Sequence, residues 1–342
     1  MATCYYTCSL VPLHFLARAG HTPRRLAPTI RSTSSSDTPD ATPASTAPPL
    51  GAIITHPSTC PYVVTLLAAG ERAFDGIGGE ADPADCVVVP AGCDAMRRLG
   101  DALGARYPGR VFTLFVSRTP DPASARSLAG DLGRLEEWLA ERAPQSRNGA
   151  RSRAAEGEVA RSTATEVNRS DTFTYPSPPR PGGVFVVAGP LSDDGLLHFI
   201  AALGLHISGV ESCSGPERER ALGVVGTSGM DLMELATAVL EEVSCPRSSA
   251  PARREYLARR LEESGAVAAI YARLPFCDPG AYDALAVEGL TAERGLPYLE
   301  VEVDFPFEVT GPLRVRIEAF LETLLLDAEL CDFDNLDDLP DT

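Results

Sequence analysis

Two kinds of apolar pattern alternate along the chain. Short continuous runs rich in β-branched residues predict strands at 86–90, 111–117, 183–188, 206–210, 266–272 and 298–303. Amphipathic patterns, with apolar residues three or four positions apart, predict helices after Pro122 and near 193–204, 229–242, 250–264, 280–294 and 311–326. Strands that are apolar on both faces and alternate with helices are typical of parallel sheets covered by helices. The pattern therefore predicts an α/β fold with doubly wound parallel sheets in both halves of the chain.

Two stretches without apolar periodicity interrupt this pattern. Residues 31–51 are almost all Ser, Thr, Pro, Ala and Asp, and residues 143–182 are rich in Arg, Ser, Pro and Gly. Such compositions are typical of linkers or disordered insertions. We therefore predict an N-terminal segment, two α/β domains and an acidic tail. Their bounds are 1–30, 52–142, 183–326 and 327–342.

The composition argues against several classes of function. The net charge is −17, and the last sixteen residues carry seven carboxylates and no basic residue, so we expect no binding to nucleic acid or to an anionic membrane. The sequence contains no run of eighteen or more apolar residues, so we predict no transmembrane helix. Lysine is absent, which argues against Schiff-base catalysis and against a phosphate-binding P-loop. If the function needs ATP, we therefore expect another protein to hydrolyse it.

The N-terminal residues give no clear targeting signal. The apolar segment 9–17 is interrupted by Pro12 and His14, unlike a secretory signal. Several arginines and a Ser-rich stretch precede the first acidic residue, Asp37, as in an organellar transit peptide, but the same residues fit a family pattern better. We therefore expect a cytoplasmic protein.

The nine cysteines carry the most specific chemistry. Their number is odd and the chain is too long to need disulfides for stability, so a disulfide framework is not expected. Four of them, Cys60, Cys93, Cys213 and Cys277, follow apolar runs that predict strands. Ligands of parallel sheets bind at the carboxyl ends of strands, and thiolates there suit zinc, Cu(I) or an iron–sulfur cluster. The alternative is that each is a small buried apolar residue, but four at equivalent places favour a metal site between two domains.

Three C-terminal segments resemble a known family. They are YARLPFCDP at 271–279, GLPYLEVEVD at 295–304 and RVRIEAFLE at 314–322. Their order, spacing and residue types are similar to the C-terminal signature of the 2-hydroxyacyl-CoA dehydratase and benzoyl-CoA reductase family. In that signature a Phe-Cys pair after a strand precedes a Gly-x-Pro-x-Leu-x-x-Glu-x-Asp strand. Upstream, the similarity continues with gaps through 6–26, Cys60-Pro-Tyr and the strand, cysteine-aspartate and helix of 85–99.

The resemblance implies an architecture and a cofactor. It implies two Rossmann- or flavodoxin-type domains with a 4Fe-4S cluster in the cleft between them. Carried over by motif, the cluster ligands are Cys60, Cys93 and Cys277, which leaves one iron without a protein ligand. Asp94 and Asp278 each follow a ligand candidate and are expected to cap the helix that begins there.

The resemblance also implies a reaction and partners. The chain would be the iron–sulfur subunit, of D-component type, of a 2-hydroxyacyl-CoA dehydratase. In that family, one electron from a separate ATP-dependent activator protein makes a ketyl radical of the acyl-CoA thioester, which acidifies the β-proton enough for water to be eliminated. The expected partners are the acyl-CoA substrate, the activator and a homologous subunit, identical or different. Arg97 and Arg98 are expected either to meet the CoA phosphates or to lie on a solvated helix face.

Alternatives stay open at the level of sequence. Cys213 lies in a Glu-Ser-Cys-Ser-Gly segment with counterparts in some branches of the family, so it is a candidate for an additional ligand. A double-cubane cluster is then the alternative to a 4Fe-4S cluster, and the chain would be a benzoyl-CoA reductase-like or double-cubane-cluster reductase subunit. A further alternative is a non-catalytic scaffold that keeps the fold without a cluster, because the linker 143–182 stands where the family has helical segments.

Overall fold

The computed structural model describes the chain in the ranges 2–8, 10–26, 58–75, 82–142, 182–191, 193–213, 229–241 and 245–333, with the backbone alone for His14 and 326–333. Several predictions concern residues outside these ranges. They are the low-complexity stretches 31–51 and 143–181, the apolar run 53–56 ahead of Cys60, and residues 334–342 of the acidic tail.

The strands of the described ranges form two sheets of four strands each. Sheet 1 contains β1 (Thr3–Tyr6), β2 (Thr22–Arg25), β3 (Cys86–Pro90) and β4 (Val111–Leu114), in the order β2-β1-β3-β4. Sheet 2 contains β5 (Val184–Ala188), β6 (Ile207–Ser212), β7 (Ala268–Arg273) and β8 (Tyr298–Glu302), in the order β6-β5-β7-β8. All neighbouring strands run parallel, and this order is that of the first four strands of a flavodoxin-like sheet. The predicted α/β fold with doubly wound parallel sheets is confirmed.

Helices connect the strands. In the described part of the chain they are α1 (Leu13–Arg18), α2 (Pro61–Asp75), α3 (Asp94–Arg106), α4 (Pro122–Ala140), α5 (Gly195–Ala202), α6 (Leu232–Glu241), α7 (Ala250–Ser264), α8 (Asp278–Glu293) and α9 (Gly311–Phe333). In α4, Asp121 accepts 2.8 Å hydrogen bonds from the backbone N–H groups of Ala123 and Ser124, and Pro122 occupies the first turn. None of these described helices has both the length and the apolar character that crossing a bilayer requires.

The chain divides into two compact units, each built from two pieces. Unit 1 comprises Met1–Thr172 and Cys213–Ser249, and unit 2 comprises Phe173–Ser212 and Ala250–Thr342. Cys213 and the described residues 229–241 and 245–249, which the sequence predicts in the C-terminal domain, therefore group with sheet 1. The cause is the apolar face of α6, which enters the core of unit 1 against α4. Its buried residues are Leu235, Ala236, Val239 and Leu240.

Candidate functional site

The two sheets share one strand order, so their strand ends can be compared. In each sheet the first and third strands along the chain are central neighbours, β1 beside β3 and β5 beside β7. The chain leaves these two strands toward opposite edges of the sheet, and in folds of this topology the ligand-binding crevice lies at the carboxyl ends of such a strand pair. Ligands of doubly wound folds bind at this place. Side chains that follow β3 and β7 are therefore the first candidates for function.

Cys93 and Cys277 occupy equivalent positions in the two units. Cys93 is the N-cap residue of α3, which follows β3, and Cys277 is the N-cap residue of α8, which follows β7. Both are half-buried, and neither side chain makes a capping hydrogen bond to its helix. The positive end of a helix dipole stabilises a negatively charged group such as a thiolate. Asp94 and Asp278 are not the caps expected from the sequence, because each is the first residue inside its helix.

Cys60 lies at the same edge of sheet 1 as Cys93. It directly precedes α2, and its carbonyl accepts two backbone N–H groups of the first turn at 3.0 and 3.2 Å. In that turn, the hydroxyl of Tyr62 donates a 2.8 Å hydrogen bond to the carbonyl of Thr7, which directly follows β1. Because β1 pairs in parallel with β3, the start of α2 lies at the edge from which Cys93 emerges.

Two further thiols lie close to Tyr62. Desolvation raises the pKa of the Tyr62 phenol, the nearby Arg25 lowers it, and the thiols of Cys213 and Cys8 raise it further. Cys213 directly follows β6, as the sequence predicted, yet belongs to unit 1. Cys8 was not selected from the sequence. It follows β1, whose four residues TCYY contain no continuous aliphatic run, so the sequence did not predict a strand before Cys8.

Three other cysteines are core residues. Cys4 and Cys86 lie opposite each other on β1 and β3, and both are fully buried. Burial, and then the hydrogen bond with Cys86, raises the pKa of the Cys4 thiol, so it stays neutral. Cys245 lies in the same core of unit 1. For these three the small buried apolar role applies, and the eight cysteines with described side chains form no disulfide.

The backbone around Cys277 leaves a space that a side chain would fill. A β-carbon on Gly280 would lie 3.2 Å from Sγ of Cys277 and 3.6 Å from Cγ of Arg273. Phe276, directly before the cysteine, has a φ of 57°, and its side chain is 51% exposed. This left-handed conformation is rare for a bulky residue, and such conformations cluster at functional sites.

Carboxylates hold Arg273 in place near Cys277. Nε of Arg273 lies 2.8 Å from Oε1 of Glu300, and Nη2 lies 3.1 Å from Oε2 of Glu302. The hydrogen bond with Glu300 raises the pKa of the guanidinium, which is therefore a fixed cation. Since both glutamates belong to β8, these contacts also join the ends of β7 and β8.

A buried network fixes α8, the helix that starts after Cys277. Asp283 on α8 accepts hydrogen bonds from Nε and Nη2 of Arg253 at 2.8 and 2.9 Å, and from the hydroxyl of Tyr271 at 3.1 Å. All three residues are buried. Burial alone would lower the pKa of Arg253, but its hydrogen bonds with Asp283 raise it, so the guanidinium stays charged. The network ties α8 to α7 and β7, and thereby fixes the helix that Cys277 caps.

The candidate ligands come from both units. Cys60, Cys93 and Cys213 belong to unit 1, and Cys277 belongs to unit 2. Across the ranges that the structure describes, no group of three or more His, Cys, Asp or Glu side chains is arranged to hold a metal ion. Joint ligation by these cysteines therefore stays a prediction. The donor chemistry fits an iron–sulfur cluster, since each residue is a thiol at a strand end or helix start.

Comparison with known families bears on unit 2. Residues 180–324 match the family model described as 2-hydroxyglutaryl-CoA dehydratase, D-component. The match is less than half of the chain, contains all of sheet 2 and Cys277, and excludes Cys60 and Cys93. It confirms the family predicted from segments 271–322. The search of curated proteins gave no match.

Proposed function

We propose that the chain, whose residues 180–324 match the 2-hydroxyglutaryl-CoA dehydratase D-component family model, is the iron–sulfur subunit of a 2-hydroxyacyl-CoA dehydratase-type enzyme. The observation that supports the iron–sulfur role best is the equivalence of Cys93 and Cys277. Each follows the third strand of its sheet, caps the next helix and precedes an aspartate. Cysteines that served packing alone would have no reason to recur at the ligand-binding end of both sheets.

The proposed ligands of a 4Fe-4S cluster are Cys60, Cys93 and Cys277, carried over from the family motif. Three thiolates leave one iron open to a substrate oxygen. When bound, the cluster would supply one-electron chemistry at that open position. The contribution of this chain is to present the thiols from helix N-termini, and to fix α8 through Arg253 and Asp283.

The proposed reaction removes water from a 2-hydroxyacyl-CoA without net oxidation or reduction. One electron reduces the thioester carbonyl to a ketyl radical anion, and the hydroxyl on C2 leaves as hydroxide. The resulting radical has an acidic proton on C3, and its loss gives the ketyl radical of the 2-enoyl-CoA. Loss of one electron from this radical, back to the centre that supplied it, gives the 2-enoyl-CoA, while the hydroxide and the proton combine to water.

Two protein partners follow from this proposal. The electron requires a separate ATP-dependent activator, because a chain without lysine lacks the phosphate-binding residue of a P-loop ATPase. A D-component subunit further suggests a homologous partner subunit, identical to this chain or different. A reducing compartment such as the cytoplasm suits a protein that needs its cysteines as thiols.

Anaerobic purification with iron and sulfide analysis and EPR spectroscopy tests the proposal. We expect about four iron and four sulfide ions per chain. Replacement of a proposed ligand, as in Cys93→Ala or Cys277→Ala, should remove most of the iron and the EPR signal. Cys4→Ala is the matched control, because it removes a thiol from the core of unit 1 and should leave the iron content unchanged.

Two outcomes would contradict the proposal in different ways. Unchanged iron content in Cys277→Ala would contradict the ligand assignment. A wild-type chain that stays colourless after anaerobic reconstitution with iron and sulfide would contradict the cluster itself and support a scaffold that keeps only the fold. If the cluster forms, enoyl-CoA production from 2-hydroxyglutaryl-CoA with an added activator tests the dehydration.

The position of Cys213 favours a second candidate function. Cys213 directly follows β6 and belongs to unit 1, and its thiol raises the pKa of Tyr62 in the first turn of α2, the helix that Cys60 precedes. As an additional ligand it would allow a double-cubane cluster, in a benzoyl-CoA reductase-like or double-cubane-cluster reductase subunit. About twice the iron of a 4Fe-4S protein, and its partial loss in Cys213→Ala, would identify this case.

A further inference from the structure

The segment that follows β4 in unit 1, residues 115–118, contains one arginine, Arg118, and contacts two more, Arg97 and Arg247. Nη1 and Nη2 of Arg247 donate hydrogen bonds to the carbonyls of Val116 and Ser117, at 2.8 and 3.2 Å. Nε of Arg118 donates to the carbonyl of Arg247 at 2.9 Å. The guanidinium of Arg97 lies over the ring of Phe115, 6.0 Å from its centroid. One short segment thus gathers positive charge from α3, from the loop after β4 and from the piece 213–249.

These charges are not neutralised within the described part of the chain. None of the three arginines lies within ion-pair distance of a described carboxylate, whereas the neighbouring Arg98 lies 3.8 Å from Asp94 and 3.7 Å from Asp101 on its own helix. Arg98 is therefore the solvated helix-face residue that the sequence analysis considered. In a protein with a net charge of −17, an arginine group without carboxylates suggests an anionic ligand.

Arg247 gives an independent indication of a missing partner. Its side chain is buried, with the residue 7% exposed, and Nε has no hydrogen-bond partner among the described residues. Nε would lie 3.2 Å from a β-carbon on Gly92, so it lies beside the turn that leads into α3. A buried cation without a counter-charge is unfavourable, and an anion bound nearby would offset that cost.

The start of α3 adds a third source of positive potential. The helix begins after its N-cap residue Cys93, whose side chain makes no capping hydrogen bond to the first turn. Helix N-termini attract phosphate and other anions through the first N–H groups and through the helix dipole. Asp94 in the first turn of α3 lies 3.8 Å from Arg98, whereas the carboxyl edge of sheet 2 carries more carboxylates, with Asp193 and Asp194 before α5 and Glu302 at the end of β8.

We propose that Arg97 and Arg118, backed by the buried Arg247, form the site on unit 1 that binds the phosphate groups of the acyl-CoA substrate. The inference rests on the proposed function for the identity of the ligand. Arg97 and Arg118 are exposed and contact the phosphates directly, whereas the buried Arg247 contributes positive charge without direct contact. Phosphate oxygens suit guanidinium donors that come from several directions. The exposed ring of Phe115 keeps the guanidinium of Arg97 beside this segment.

Equilibrium binding of CoA and of inorganic pyrophosphate to the full chain tests the site. We expect Arg97→Gln and Arg118→Gln each to weaken both probes about tenfold, as loss of a charge-assisted contact predicts. Arg98→Gln is the matched control, with the same charge change one residue away, and should change either affinity by less than about twofold. The affinity of the wild type should also fall as ionic strength rises.

The possible results separate this inference from the proposed function. Equal effects of Arg97→Gln and Arg98→Gln would overturn the site, as would wild-type protein that binds neither probe. If the site fails while the iron and sulfide content matches the cluster, the proposed function stands without it. If the site succeeds in a protein that never binds iron, the phosphate site stands and the proposed function fails.

Discussion

Gly280 lies next to the thiol of Cys277, so that even a β-carbon at this position would be in tight contact with the sulfur. A β-carbon there would lie 3.2 Å from Sγ, which is closer than nine in ten β-carbon contacts in proteins. Gly289, on the same helix, has far more space, since its closest neighbour would be Nη1 of Arg254 at 3.9 Å. The two glycines therefore allow the effect of a helical alanine to be separated from an effect on the thiol.

Alanine at these two positions should give different results. We expect Gly289→Ala to raise the free energy of unfolding by up to about 1 kcal/mol, because alanine favours helix interiors over glycine. Gly280→Ala should gain less or lose stability, because the Cys277 thiol must move. Urea unfolding measures both, and iron content after anaerobic reconstitution should fall in Gly280→Ala alone. Equal stabilisation and equal iron content would show that the thiol does not need this space.

The buried pair of Arg253 and Asp283 should be far more sensitive than an exposed pair on the same helices. Arg253→Met leaves the Asp283 carboxylate buried without its partner, which we expect to cost about 3–5 kcal/mol. The matched control is Arg254→Met, which breaks the exposed pair with Glu293 and should cost less than about 1 kcal/mol. Urea unfolding gives both values. Similar losses would mean that the buried network does not fix α8.

The elements that could be predicted from the sequence are those whose burial follows a regular pattern along the chain. Strands β3, β5 and β7 are buried on both faces, so their continuous apolar runs were recognisable. Cys93 and Cys277 could be placed at strand ends for the same reason. The leucine spacing of α4 likewise gave a helix, because one face of it is buried in unit 1.

Features that depend on distant residues were not predictable. Strand β2 has the sequence TPRR and β1 has TCYY, so neither shows an aliphatic run, and Cys8 was missed with them. The amphipathic pattern of α6 shows that one face is buried but not which unit covers it. The burial of Arg247 was not predictable either, because the residue packs and hydrogen-bonds against the loop after β4, about 130 positions earlier in the chain.

His21 should make the stability of the protein depend on pH below neutrality. The residue is fully buried, Nε2 lies 3.1 Å from the carbonyl of Leu139, and Nδ1 is buried without a hydrogen-bond partner among the described residues. Burial lowers the pKa of His21; the Leu139 carbonyl and Asp85 raise it, and Arg142 lowers it further. The unfolded state, with a pKa of about 6.5, therefore takes up the proton first as pH falls. Stability should be lost from about pH 6.5 downward, by at most about 1.4 kcal/mol per pH unit.

Urea unfolding at pH 7.5 and 5.5 checks this expectation with a pair of histidine variants. His21→Gln keeps a hydrogen-bond donor for Leu139 but cannot titrate, so it should lose less stability than the wild type between the two pH values. His198→Gln, which changes a side chain that is 49% exposed on α5, should keep the wild-type dependence. If His21→Gln and the wild type lose the same stability, the buried imidazole is not the cause.

Thiol alkylation of the native protein should distinguish core cysteines from cluster ligands. In protein without iron, we expect the half-buried Cys93, Cys213 and Cys277 to react, while Cys4 and Cys86, which are fully buried, react only after unfolding. Loading with iron and sulfide should then protect Cys93 and Cys277, because a ligated thiolate is not free to attack the reagent. Peptide mass spectrometry measures each site. Protection of Cys213 as well would favour the double-cubane cluster, because ligation by Cys60, Cys93 and Cys277 alone leaves Cys213 reactive. Equal labelling of Cys277 with and without iron would contradict its role as a ligand.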